Sequence, residues 1–244
     1  MPATSVIGLQ WGDEAKGKIV DILTGTHEIV VRYQGGANAG HTVVFDGEKY
    51  KLSLIPSGIF RHQVQCVIAG GVVLNPEAIL GEIDALTSRN IQVAENLMIS
   101  DRAHVIFPWH FEEDRLLNVL CHGGEAIGTT MRGIGPCYRD KVGRSLAIRF
   151  GDLFRDDFPS RVREITKAKN QIIRGLAGDA PCEEFEAEAV LEKYLGLAER
   201  LKPYVADTTD YLLNAVDENR KILFEGAQGA LLDIDHGTFP YVAS

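Results

Sequence analysis

Gly12-Asp13-Glu14-Ala15-Lys16-Gly17-Lys18 fits the phosphate-cradling pattern G-x-x-x-x-G-K. In such a loop, backbone N–H groups and the positive end of the following helix face an anion. Ile19 stands where the pattern places a Ser or Thr hydroxyl for Mg²⁺. The metal ligand must come from elsewhere, and Asp13, inside the loop, is the obvious carboxylate. His41 follows Gly40 in a second glycine loop and can reach a phosphate. Together Asp13 and His41 supply a base, an acid and a metal ligand around a phosphate cradle, the equipment of phosphoryl transfer. Singly, each has a plainer role: Asp13 as a cap on the next helix, His41 as a loop hydrogen-bonder. The other histidines share no spacing, His236 beside Asp235 reads as structural, and there is no zinc pattern.

These residues need a scaffold that brings glycine loops to one edge. Thr4–Leu9 reads as a short buried strand, and Lys18–Leu23 has helical spacing. Glu28–Tyr33, Val64–Ala69, Leu97–Ser100 and Lys221–Phe224 read as further strands. Asp46-Gly47 between Thr42–Phe45 and Lys49–Leu54 signals a hairpin. Asn75 and Pro76 open a helix with Ile79, Leu80, Ile83 and Leu86 on one face, and Pro108–Leu120 reads as another. Phe158–Val216 looks helical, with a break at Gly175–Pro181 and charge runs expected to face solvent. The expectation is one α/β domain over residues 1–244: a mostly parallel central sheet with a P-loop-like phosphate loop, an inserted β-hairpin and a helical excursion over about 155–217. Loops 10–18, 34–42, 128–136 and 225–229 then gather at strand ends, where open α/β sheets bind ligands.

With 244 residues, 45% hydrophobic and 24% charged, the chain can bury a sizeable core. A net charge of −9 argues against nucleic acid or an anionic membrane as partner. Cys66, Cys121, Cys137 and Cys182 are scattered without a C-x-x-C pair and read as reduced thiols. No signal peptide and no membrane-length apolar run is apparent, so a cytoplasmic location is expected. The chain stops within Asp233–Ser244 without fading polarity, which reads as a structured segment cut in mid-run.

Gln10–Lys18, Gln34–Thr42, Pro56–Ile59, Gly128–Pro136, Phe224–Gly229 and Leu232–Thr238 resemble, in order and separation, the motifs of adenylosuccinate synthetases. The resemblance implies joining of L-aspartate to IMP with GTP and Mg²⁺, through 6-phosphoryl-IMP, as the first committed step from IMP to AMP. It implies that Asp13 takes the N1 proton of IMP and binds Mg²⁺ with the Gly40 carbonyl, and that His41 is the acid aiding departure of GDP. GTP phosphates would lie on Gly12, Asp13, Glu14, Ala15, Lys16, Gly17 and Lys18, and on Gly40, His41 and Thr42. IMP would contact residues 13–16 and Asn38, Ala39, Gly40 and His41, together with Thr130, Gln228 and the position of Ala243. Arg144 matches an arginine that reaches the partner subunit's IMP site, which implies a homodimer.

Some positions depart from the family pattern. Ala15 replaces a glycine, tolerable if φ is negative there and strained if it is positive. Ala243 replaces a threonine that contacts the IMP phosphate, Ala37 is a mild change, Met131 falls at a variable position, and the Arg144–Arg149 spacing is one residue longer. The guanine-recognition segment and the aspartate loop of the family have no counterpart here. The expectation is therefore a catalytic half that completes the reaction poorly alone. Alternatives are a non-catalytic nucleotide-binding or dimerising fragment, a phage-type synthetase using (d)GMP, and a general P-loop NTPase or kinase. Asp13 argues against the phage type, and the missing hydroxyl after Lys18 argues against the NTPase.

Overall fold

A computed structural model describes residues 3–38, 40–120 and 128–243, without the side chains of His41, Val119 and Leu120. Ala39 and Cys121 lie outside the described residues. The centre is a six-stranded, all-parallel sheet. Its strands are β1 (Ala3–Gly8), β2 (Ile29–Arg32), β5 (Gln65–Ile68), β7 (Leu97–Ser100), β9 (Val205–Ala206) and β10 (Ile222–Gly229), in the spatial order β1-β10-β2-β5-β7-β9. Between β2 and β5 the chain makes the antiparallel hairpin β3 (His41–Phe45) and β4 (Glu48–Leu52). Asp46 and Gly47 both have positive φ there, as a two-residue hairpin turn requires. β6 (Val73–Leu74) and β8 (His104–Val105) form a separate parallel pair.

The helices are α1 (Lys16–Thr24), α2 (Pro76–Thr87), α3 (Pro108–Leu120), α4 (Ile134–Gly143), α5 (Phe158–Ala177), α6 (Ala187–Leu201) and α7 (Thr208–Asp217). β2 shows why the layers form. Its residues alternate between faces: Ile29 and Val31 pack with Ala215 of α7 and Ile222, while Val30 packs with Val20 of α1, Val64 and Leu223. The largest core cluster runs from the hairpin through α2 and β7 into α3, α5 and α6. α2 is capped as the sequence suggests, the Asn75 side chain accepting the Glu77 N–H at 2.8 Å with Pro76 in the first turn.

Several expectations change. β1 is an edge strand paired with β10 alone, so its residues are mostly exposed and not buried; Ile7 keeps 58% of its surface. The strand expected to stop at Phe224 continues through Glu225–Gly229, because Glu225 still pairs with both β1 and β2 and Gly229 pairs with Gly8 across a register shift between Val6 and Gly8. The interval read as helical contains β9, which pairs with β7, and α7 returns to the sheet. The charges there do not all face solvent: Lys169 of α5 is fully buried against Glu113 and Asp140. α4 begins inside the stretch read as a glycine loop, and β6 and β8 are too short to carry a periodic signal.

Candidate functional site

The first glycine loop joins β1 to α1 along the sheet edge. α1 has Ala15 as its N-cap with no side-chain cap, so Asp13 is not a capping residue. Ala15 has φ 62° and ψ 34°, the left-handed region, where a methyl group is disfavoured. The replacement of glycine therefore falls on a position that needs positive φ. Lys16 folds back on its own loop, donating to the Gly12 carbonyl at 2.9 Å and lying 3.6 Å from Glu14 Oε2. Glu14 Oε1 accepts the Gln10 N–H at 2.5 Å, and backbone hydrogen bonds hold its carboxyl below the ordinary carboxylate range. Gly229 closes onto this loop so tightly that a Cβ there would collide with Gln10 O.

The second loop leaves β2. Gly35 has φ 84°, its N–H donates to the Tyr138 hydroxyl at 2.9 Å, and its carbonyl accepts the Val73 N–H at 3.0 Å. Arg32, at the end of β2, donates to Gly36 O at 3.3 Å and pairs with Glu225 at 3.4 Å. Arg132 donates to Ala37 O, joining this loop to the third. In the third loop Gly133, with φ 70°, donates its N–H to the buried Asp114 carboxylate at 2.9 Å. Burial raises Tyr138 to about 12, so its hydroxyl keeps its proton at ordinary pH.

Two cavities meet at these loops. One, about 360 Å³, is lined by Gly12, Asp13, Ala15, Lys16, Gly17, Lys18, Arg32, Gly40, Thr42, Glu225 and Ala227 among others. The other, about 550 Å³, is lined by Asp13, Asn38, Gly40, Asp114, Thr129, Thr130, Gln228, Tyr241 and Ala243 among others. Gly12, Asp13, Gly40 and Ala227 line both, so Asp13 stands on a shared wall. Asn38 Oδ1 and Gln228 Nε2 are buried without a hydrogen-bond partner, and both residues line the larger cavity. Native proteins satisfy such groups, so an amide oxygen and an amide nitrogen left open beside one cavity point to a polar ligand.

Of the residues expected at a phosphate, Gly12, Asp13, Ala15–Lys18, Gly40 and Thr42 line the smaller cavity, the His41 side chain lies outside the described residues, and Asn38, Thr130, Gln228 and Ala243 come together at the larger. Glu14 lines neither of these two; its carboxylate is turned back onto the loop. Arg144 lies exposed at the end of α4, with φ 68°, and lines neither. Sequence reasoning passed over Arg32, Asp114 and Tyr138. Arg32 was visible as a charge in the apolar run Glu28–Tyr33, whereas Asp114 and Tyr138 carried no local signal.

The adenylosuccinate synthetase family model matches residues 5–244. The chain is 51% identical over 246 residues to an adenylosuccinate synthetase of Caldanaerobacter subterraneus subsp. tengcongensis, and 48% over 245 residues to that of Brevibacillus brevis. Each comparison covers 100% of this chain and 56% of the relative, so the chain spans about half the length of the curated relatives it matches. A solved structure of fully ligated adenylosuccinate synthetase from Plasmodium falciparum superposes with TM-score 0.89 at 33% identity, covering 100% of this chain and 55% of that one. The fold is also shared with the cyanophage S-2L succinoaminodeoxyadenylate synthetase bound to dGMP and dATP, with TM-score 0.63 at 23% identity, covering 99% of this chain and 55% of that one. With a family model spanning all but the first four residues, this chain belongs to the adenylosuccinate synthetase family.

Proposed function

We propose that the chain holds IMP and the phosphates of GTP side by side, for a ligase reaction that joins L-aspartate to IMP and releases GDP and phosphate. The observation that carries this reading is Asp13 on the wall common to both cavities. A purine 6-oxo group is a poor nucleophile. A base at N1 pushes charge onto O6, which can then attack the γ-phosphate lying across the same wall. Asp13 is that base. Lys16 and Lys18, lining the smaller cavity, balance the charge that develops on the phosphates. His41, whose backbone opens β3 beside Gly40, is assigned as the acid for the leaving GDP. The aspartate amine then displaces the 6-phosphoryl group.

Asn38, Ala39, Gly40, Thr130, Gln228 and the Ala243 position are the proposed IMP contacts, together with residues 13–16. The buried, unpartnered Asn38 Oδ1 and Gln228 Nε2 support this. Mg²⁺ takes few protein oxygens and keeps substrate phosphates as ligands. Asp13 and Gly40, residues of the shared wall, offer a carboxylate and a carbonyl of the kind that demand calls for. Bound there, the ion would neutralise charge on the phosphates. Arg144, exposed and away from both cavities, suits the role of a residue given to a partner subunit in a homodimer. No helix among the described residues is long and apolar enough to cross a membrane; a cytoplasmic location belongs to the same proposal.

The test is calorimetric titration of IMP, dGMP and GTP into the chain and its Asp13→Asn variant, beside an assay for GTP- and aspartate-dependent adenylosuccinate. The expected result is IMP binding in preference to dGMP, and any product formation lowered by at least about a hundredfold in the variant. Preference for dGMP, or turnover indifferent to Asp13→Asn, would overturn the assignment.

A further inference from the structure

α4 lies behind the second glycine loop and holds it at successive residues. The Tyr138 hydroxyl accepts the Gly35 N–H at 2.9 Å and donates to Gly71 O at 2.8 Å, with Gly35 O 3.2 Å away. Gly36 lies against Ile134, whose Cδ1 would be 3.0 Å from a Cβ placed there. Arg132, just before α4, donates to Ala37 O. α4 is itself anchored, through Gly133 N–H on Asp114 at 2.9 Å and Cys137 Sγ on Val105 O at 3.5 Å. Gly35 is therefore fixed where the chain leaves β2 for the loop that carries Asn38 and Gly40.

Resting on the IMP-site reading above, we propose that Tyr138 is a positioning residue for that site: its hydroxyl, held between Gly35 and Gly71, sets the loop so that Asn38 faces the larger cavity. The packing does not need the hydroxyl, since a phenylalanine ring keeps the apolar contacts. Removing it leaves the Gly35 N–H and the Gly71 carbonyl without this partner, in a part-buried setting. The loop then gains freedom that binding must remove.

The experiment compares the unaltered chain with Tyr138→Phe and Tyr138→Leu by thermal unfolding, amide hydrogen exchange over residues 34–38, and titration of IMP and of GTP. Tyr138→Phe should unfold no more than about 4 °C below the unaltered chain. Exchange at Gly35 and Gly36 should speed up by about tenfold. IMP binding should weaken by about five-fold, with GTP affinity changed by less than about two-fold. Tyr138→Leu should deepen the exchange effect; if it fails to fold, Tyr138→Phe carries the test. Unchanged exchange, or IMP and GTP binding lost in parallel with thermal stability, overturns the positioning role. Failure of the unaltered chain to bind IMP removes the site reading and the role with it, whereas IMP binding indifferent to Tyr138→Phe removes the role alone.

Discussion

The Lys169 ammonium lies 2.5 Å from the Asp140 carboxylate, the lysine without any exposed surface. The same ammonium is 2.9 Å from Glu113 Oε1, so one cation from α5 serves carboxylates on α3 and α4. Lys169→Met strands two buried carboxylates, of which Asp140 keeps His110 and Glu113 keeps Arg139. The expected loss is about 3 kcal/mol by urea unfolding. A loss below about 1 kcal/mol would show that the remaining partners suffice.

His110 predicts a pH dependence. Its Nδ1 accepts the Phe107 N–H at 2.9 Å, and its Nε2 lies 2.9 Å from Asp140 Oδ2. Burial, with Lys169 and Arg139 nearby, lowers it from 6.5 to about 4 against the pull of Asp140. The unfolded chain therefore binds the proton more readily between those values. The stabilisation is complete above about pH 6.5 and is lost as pH falls through about 4. Unfolding free energies at two pH values inside that window should converge in His110→Asn, apart from the similar share from His104, also lowered to about 4 by burial. An unchanged slope would refute the assignment.

Ala15 at φ 62° makes glycine the better residue. Ala15→Gly should relieve about 1–2 kcal/mol of left-handed strain. Part of that gain is offset by the freer unfolded chain. A net gain of about 0.5–1 kcal/mol in urea unfolding is expected. Destabilisation would mean that the methyl contributes packing that outweighs its strain.

Asn38→Ala separates stability from binding. The Asn38 Oδ1 atom is buried and unpartnered, so removing it should leave stability unchanged or raise it by up to about 1 kcal/mol. IMP affinity should fall by about tenfold while GTP affinity holds. The opposite pattern, lost stability with intact IMP binding, would make Asn38 a structural residue.

The loops were legible because their chemistry is local: glycines, Asp13, Lys16 and Lys18 sit within one short segment. The buried strand β2 and the cap at Asn75 were legible for the same reason, since periodicity and capping are short-range signals. What escaped depends on distant partners. β1 reads as buried because Val6 and Ile7 lead into a glycine loop, yet its exposure follows from its place at the sheet edge. Lys169 reads as a surface lysine until α3 and α4 supply Glu113 and Asp140. Tyr138 reads as one more helical aromatic until two loops, separated by about a hundred and about seventy residues from it, converge on its hydroxyl.

The wall shared by the two cavities makes their occupants thermodynamically linked. A ligand in one and a ligand in the other both border Gly12, Asp13, Gly40 and Ala227. Any free energy by which the first alters the second is returned in equal measure when the order of addition is reversed. Neither dissociation constant is therefore a property of one cavity. Each is defined only at a stated concentration of the other ligand, and the ratio of constants with and without it measures the conversation across the wall.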